Sequence, residues 1–202
     1  MTFRRSPLAL AVLALLIEEP MHPYRMQQLI RQRSKDQVVN VGHRASLYKT
    51  IDRLLAADLI GVEATTRDTA RPERTVYAVT AAGTAAARAW MADMLAHPAA
   101  EFPDFPAAMS FLPLLTPAEA AEHLASRAGA LATRLEEITT ELAEYGPRLP
   151  RVALVESEYL HAVTTAELGW VTAIVRELRT GTLTWDIEEL RAFAAQFGST
   201  EK

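Results

Sequence analysis

The chain has 202 residues, half of them hydrophobic, which allows one large or two small domains with a real core and excludes a disordered chain. The sequence contains no cysteine, which excludes disulfides, thiol catalysis and cysteine-ligated metal sites and fits a reducing cytoplasm without requiring it. The net charge of −4 is unevenly divided, because residues 1–97 carry +4 and residues 98–202 carry −8. Only the first half therefore suits a polyanionic partner.

The first predicted helix spans residues 7–18 and is expected to be buried. Ser6 is a good N-cap and Pro7 a good first helical residue. The apolar run is too short to span a bilayer, and it ends at Glu18 and Glu19 instead of at a small-residue cleavage site. We therefore expect no targeting segment here.

A second helix is predicted from Pro23 to about Ser34 and should place three side chains in the core. These core side chains are predicted to be Tyr24, Leu29 and Ile30. The linker that follows is rich in valine, which favours a short strand beside the later hairpin. The valines concerned are Val38, Val39 and Val41.

Residues 43–60 predict an amphipathic helix around which the N-terminal half is organised. One side has the spacing of a buried stripe, formed by Leu47, Ile51, Leu54 and Leu55. The opposite side is small, hydroxylic or cationic apart from one carboxylate, and consists of Ala45, Ser46, Lys49, Asp52 and Arg53. Any surface helix has an apolar and a polar side, but a narrow, mostly cationic face also suits the major groove of DNA.

A hairpin is predicted directly after this helix. Residues 62–66 and 75–79 are rich in valine and threonine and favour two short strands. Residues 67–74 between them form a polar loop that contains Arg67, Arg71 and Arg74. A helix followed by a hairpin with a basic tip is typical of a winged helix-turn-helix.

Several short segments of this region resemble the signature of the PadR family of bacterial transcriptional regulators. They are Ser46-Leu47-Tyr48, Leu54, Leu59-Ile60 and Arg74-x-x-Tyr77-x-Val79-Thr80-x-x-Gly83. The resemblance covers about the first half of the chain. It implies a sequence-specific DNA-binding regulator, usually a repressor, that binds an inverted repeat as a homodimer and responds to small aromatic or drug-like molecules.

The expected contacts with double-stranded promoter or operator DNA follow from these patterns. Ser46 and Lys49 should meet phosphates or base edges, Arg53 the backbone, and the wing arginines the backbone or the minor groove. Tyr48 either offers its hydroxyl to a phosphate, as the resemblance favours, or is a half-buried core residue. The full set of predicted DNA-binding residues is His43, Arg44, Ser46, Tyr48, Lys49, Arg53, Arg67, Arg71 and Arg74.

The second half of the sequence predicts a helical interaction domain. Thr80 should cap a helix over residues 81–96, and a short helix is predicted at residues 107–112. Thr116 begins a capping box that starts a long helix ending near Tyr145. Two more helices are expected over about residues 151–180 and 186–197. The predicted fold is mostly α, with a winged helix-turn-helix domain at residues 1–97 and an antiparallel helical coiled-coil dimerisation domain at residues 98–202, the dimer being implied by the resemblance.

Two further sets of side chains are candidate sites in this half. A heptad seam on the first long helix packs either within one chain or between two. Together with three residues of the next helix it forms the predicted dimer interface, which is Leu124, Leu131, Leu135, Ile138, Leu142, Tyr159, Val163 and Trp170. Apolar side chains that are either a small-molecule pocket or ordinary core are Trp90, Met94, Phe102, Phe105 and Trp170.

Neither an enzyme nor a metalloprotein is indicated by the sequence. The five histidines are scattered without metal-ligand spacing, and no phosphate-binding glycine loop or Gly-x-Ser-x-Gly motif is present. We therefore expect no cofactor, no metal site and no membrane partner. The remaining alternative is a helical adaptor whose winged helix binds protein and not DNA. The operator, the controlled genes and the effector are not encoded in these patterns.

Overall fold

The computed structural model describes residues 5–40, 44–68, 71–99 and 102–198, and not every side chain within them. The chain divides into two compact units, Met1–Glu101 and Phe102–Lys202. The predicted fold class is confirmed, since the chain is mostly helical with one two-stranded antiparallel sheet in the first unit. None of the helices in the described ranges combines the length and apolar character that crossing a membrane requires.

The N-terminal unit has the element order of a winged helix-turn-helix. Its elements are α1 (Pro7–Glu18), α2 (Pro23–Gln32), a short 3-10 helix (Lys35–Gln37), α3 (Arg44–Ala56), β1 (Ile60–Asp68), β2 (Arg71–Val79) and α4 (Ala81–Ala96). Side chains cap three of these helices, two of them, at Ser6 and Thr80, as the sequence predicts. Ser6 caps α1, the Nδ1 atom of His22 accepts the Arg25 N–H at 3.1 Å to start α2, and Thr80 caps α4.

The core of the first unit is built from the apolar sides of α1, α2 and α3. Its largest fully buried side chains are Leu13, Met26, Ile30, Ile51 and Leu54. Completely burying a leucine or isoleucine side chain contributes about 1.5–3 kcal/mol, so this cluster dominates the stability of the unit. Its members come from three different helices, and packing them therefore fixes the position of α3.

The hairpin pairs β1 with β2. At its base, a third segment of the chain forms backbone hydrogen bonds with β2. Ile60 lies opposite Val79 and Val62 opposite Tyr77, with register irregularities farther along the strands. Met21, in the α1–α2 connection, forms an isolated antiparallel bridge with Tyr77, with both N–H···O distances at 3.1 Å. The hairpin is thereby attached to the helical part of the unit.

Three expectations for this unit are wrong in detail. Tyr24 was expected in the core, but its side chain is 61% exposed because it lies on the outer side of α2. Val38 and Val39 form no strand, since the chain turns there after the 3-10 helix, and Val41 lies outside the described residues. The helix expected to reach Ile60 ends at Ala56.

The C-terminal unit is entirely helical over its described residues. Its elements are α5 (Asp104–Ser110), a 3-10 turn (Leu112–Leu114), α6 (Pro117–Tyr145), a second 3-10 turn (Arg151–Ala153), α7 (Val155–Thr180) and α8 (Ile187–Gly198). The capping box predicted at the start of α6 is present, with reciprocal hydrogen bonds between Thr116 and Glu119. Gly181 ends α7 in the left-handed region, at φ 74°.

The two long helices α6 and α7 pack against each other within the same chain. Leu124 and Ile138 of α6 and Val171, Val175 and Leu178 of α7 are buried. Part of the heptad seam of α6 therefore packs within the chain, while Leu131, Leu135 and Leu142 are only partly buried. Large apolar side chains remain exposed on the outer face of α7.

Candidate DNA-binding surface

The recognition helix candidate α3 is held in place by its buried face. Leu47, Ile51 and Leu54 are at most 2% exposed and belong to the core shared with α1 and α2. Thr50 is also buried, and its hydroxyl donates to the Ser46 carbonyl oxygen at 2.8 Å, which satisfies the hydroxyl within the helix. A helix anchored along one face presents its opposite face in a fixed orientation.

The opposite face of α3 is exposed and mostly polar, as the sequence predicts. Ser46, Lys49, Asp52 and Arg53 are all exposed there, together with Ala45. Tyr48 is 50% exposed, so its hydroxyl end is accessible while part of its ring is covered. This face joins hydroxyl donors and cations, which bind phosphate oxygens and base edges.

Tyr77 of β2 connects the hairpin electrostatically to this face. Burial raises the pKa of the Tyr77 hydroxyl above its ordinary value, and the negative charges of Asp52 and ionised Tyr48 raise it further. Tyr77 also packs against the N-terminal core. The Asp52 carboxylate of α3 is thus close enough to the base of the hairpin to influence Tyr77.

Part of the predicted DNA-binding set lies outside the described residues. His43 lies outside the described residues, as does the side chain of Arg44. The backbone of Arg67, Arg71 and Arg74 belongs to the distal part of the hairpin, where Arg71 lies opposite Asp68 and Arg74 opposite Thr66, but their side chains lie outside the described part. The strands reach farther than expected, because β1 extends to Asp68 and β2 begins at Arg71.

A bidentate ion pair joins the C-terminal ends of α1 and α2, the two helices that share a core with α3. The Arg33 guanidinium donates to both carboxylate oxygens of Glu18 at 2.7 Å, and these hydrogen bonds lower the pKa of the Glu18 carboxyl. Both side chains are more than 40% exposed, so solvent screens the pair and its contribution to stability is modest. Its geometric effect is to connect α1 and α2 outside the core.

The residues predicted for the dimer interface fall into two groups. Leu124 and Ile138 are buried inside the chain, so the part of the seam that includes them is occupied by α7 and is not free for a partner. Leu131, Leu135 and Leu142 are partly buried on the same helix. The exposed group is on α7, where Tyr159, Val163 and Trp170 are 65%, 45% and 47% exposed.

The apolar side chains predicted to line a pocket belong to both units. Trp90 packs against the N-terminal core, and Met94 is exposed on α4. Phe102 is 94% exposed, whereas Phe105 contacts Trp170 edge-on, with ring centroids 6.2 Å apart. Within the second unit, Phe105 also lines a cavity bounded by α5 and α6.

Three structurally important groups were missed by sequence reasoning. Met21 gives no strand signal by itself, because a single bridging residue has no periodicity. Thr50 is buried, although threonine is mostly exposed in proteins, so its residue type gives no signal of burial. Arg127 on α6 donates to Glu167 on α7, and its charge gives no indication of a partner 40 residues away.

Comparisons with known proteins agree with this geometry. Residues 12–89 match the model of the transcriptional regulator PadR-like family. The structure of Bacillus subtilis PadR in complex with operator DNA is 15% identical, with a TM-score of 0.69, and the match covers 87% of this chain and 99% of that chain.

Two further structures share the fold. Bacillus subtilis PadR in complex with p-coumaric acid is 14% identical, with a TM-score of 0.67 and coverage of 85% of this chain and 98% of that one. The Vibrio cholerae virulence activator AphA is 16% identical, with a TM-score of 0.63 and coverage of 86% and 98%. No functionally curated protein sequence matches significantly. At these identities the structures establish likeness of fold, and the assignment to the PadR-like family of transcriptional regulators is made for the winged helix-turn-helix unit, over residues 12–89.

Proposed function

We propose that the chain acts as a homodimeric repressor that reads an inverted repeat in promoter DNA, one half-site per α3, and is released by a small ligand. The observation that carries this proposal is the exposed polar face of α3, anchored by buried leucines and an isoleucine beside the hairpin. Such a regulator acts in the cytoplasm, where bacterial DNA is. The solved complexes of Bacillus subtilis PadR with operator DNA and with p-coumaric acid support both kinds of partner.

The side chains on the exposed face of α3 are expected to make two kinds of contact with DNA, one with phosphates and one with bases. Lys49 and Arg53 supply positive charge for phosphates, which gives affinity with a strong salt dependence. Ser46 and the residues at the start of α3 are expected to contact base edges, which give specificity. Asp52 repels phosphate and so disfavours registers of the helix that bring it against the backbone.

Dimerisation is assigned to the outer face of α7. Tyr159, Val163 and Trp170 are separated by four and seven residues, so they share one side of the helix, and all three are exposed. Joining two weakly binding winged helices raises the effective concentration of the second at its half-site. Repression is proposed from the usual mode of the family, although one relative in fold, AphA, is named an activator.

The test is a binding titration with the DNA upstream of the chain's own gene, at two salt concentrations. The double variant Lys49→Ala/Arg53→Ala should bind more weakly than the unmodified chain at both salt concentrations, with the larger loss at the lower one, and remain a dimer. If both side chains contact phosphates, the slope of log affinity against log salt should fall by about 2.

The matched control is Arg88→Ala, which removes an exposed cation from α4 of the same unit and should leave the slope unchanged. Equal losses for the control and the double variant would mean that only net charge matters and would overturn the assigned face. If the unmodified chain bound neither promoter nor random DNA at low salt, the adaptor function would replace the regulator.

A further inference from the structure

The C-terminal unit contains a cavity between α5, the 3-10 turn that follows it and the first turns of α6. Its volume is about 650 Å³, which lies within the range of small-molecule sites in proteins. All its lining residues belong to this one unit. Its walls are almost entirely apolar and include Phe105, Met109, Leu112 and Leu124. The walls therefore favour a ligand whose body is apolar.

Two polar side chains line this cavity, and both are basic residues of α6. His123 and Arg127 are four residues apart, so they lie one helical turn from each other on the same edge of the cavity. An apolar cavity with a guanidinium at its edge matches a ligand that has an apolar body and one anionic group.

The surroundings of Arg127 show that its guanidinium already binds a carboxylate. The Nε atom donates to the Oε1 atom of Glu167 at 2.7 Å, and the Cζ atom lies 3.6 Å from the centroid of the Phe105 ring. The Arg127 side chain is still 37% exposed, so a carboxylate from solution has access to it. Glu167 would therefore compete with any acidic ligand for the Arg127 guanidinium.

We infer that this cavity binds a small amphipathic acid, with its apolar body between α5 and α6 and its carboxylate on Arg127 in competition with Glu167. As the effector of the regulator, such a ligand rests on the function proposed above. Two residues that line the cavity contact α7 directly. Arg127 binds Glu167, and Phe105 packs edge-on against Trp170. Trp170 is part of the face assigned to dimerisation, so occupancy of the cavity is coupled to that face.

The experiment compares two fluorescent probes of nearly the same apolar body, without DNA. Anilinonaphthalene sulfonate carries an anionic group, and phenylnaphthylamine is neutral. The anionic probe should bind the full-length chain about tenfold more tightly, the effect of one charge-assisted hydrogen bond. Arg127→Gln should remove this preference and leave the affinity for the neutral probe unchanged.

The decisive variant is Glu167→Gln, which breaks the same ion pair but removes the competitor instead of the binding group. It should strengthen binding of the anionic probe, whereas Arg127→Gln weakens it. If the two variants changed the affinity in the same direction, the pair would be merely structural and the inference would be overturned. Absence of any preference for the anionic probe in the unmodified chain would overturn it as well.

Filling the cavity distinguishes a small ligand from a second protein chain. Ala108 lines the cavity, and Ala108→Trp should abolish binding of both probes, whereas Ala130→Trp, at an exposed position outside the cavity on α6, should not. If Ala108→Trp converted a dimer to a monomer, a second copy would be the occupant and the inference would be wrong. Because no DNA is present, these outcomes are independent of whether the chain represses transcription.

Discussion

At Gly83 the start of α4 lies very close to the turn between α3 and β1. Thr80 caps α4 by accepting the Gly83 N–H at 3.0 Å, and its own hydroxyl lies 2.8 Å from the Asp58 carbonyl oxygen. A Cβ atom added to Gly83 would lie 1.9 Å from the carbonyl oxygen of Leu59. Because this obstacle is backbone, a side chain at position 83 requires α4 or the α3–β1 turn to move.

Gly83→Ala should therefore destabilise the chain, although alanine normally favours a helix by about 1 kcal/mol over glycine. We expect a loss of about 2 kcal/mol in the free energy of unfolding, in the range of other overpacked sites. Gly129→Ala on α6 is the matched control, since no atom lies within 4 Å of the added Cβ, and it should stabilise. Thermal unfolding followed by circular dichroism measures both, and stabilisation by Gly83→Ala would contradict the close approach.

At the scale of the elements, the ion pair of Glu18 with Arg33 gives α1 and α2 a pH-dependent connection. The carboxyl has a lower pKa in the folded chain than in the unfolded one, because Arg33 hydrogen bonds to its charged form. The pair's stabilisation is therefore fully present above the unfolded pKa of about 4.3 and is lost as pH falls through the lower folded pKa.

Glu18→Gln should cost about 0.5 kcal/mol near neutral pH, a small value because the pair is exposed. The difference between the variant and the unmodified chain should disappear in acid, below the folded pKa. Urea unfolding across the pH range measures this, with Glu63→Gln, an exposed carboxylate of β1, as the control. A difference that persisted unchanged in acid would mean that packing and not charge is responsible.

The helices could be predicted where local chemistry decides them. Ser6, Thr80 and the Thr116 capping box set helix starts without reference to the rest of the fold, and the exposed face of α3 follows from its period. Contacts distant in sequence could not be predicted this way. Nothing near Met21 indicates its pairing with Tyr77. The valines at positions 38 and 39 favour a strand, but the chain turns there after the 3-10 helix.

At the scale of the whole molecule, we expect the exposed face of α7 to link the oligomeric state to the affinity for DNA. Tyr159→Lys/Val163→Lys should convert the dimer to a monomer by placing two charges in an apolar interface. Loss of the second winged helix should then weaken operator binding by about 100-fold or more. Sedimentation and a DNA titration on the same samples measure both effects.

The matched control for this face is Thr172→Lys, an exposed position on another side of α7. It should leave both mass and affinity unchanged. A monomeric Tyr159→Lys/Val163→Lys variant with full operator affinity would show that the two half-sites are read independently. A dimeric variant would place the interface elsewhere on the unit.

The bridge between Met21 and Tyr77 has a consequence for amide hydrogen exchange. Each residue's N–H is held by the carbonyl oxygen of the other, so neither amide can exchange unless the connection between hairpin and helices opens. The two amides should therefore exchange at matched rates, although they are 56 positions apart in the sequence. Exchange of the Met21 amide hydrogen, in the connection between α1 and α2, thus measures how often the hairpin detaches from the helices.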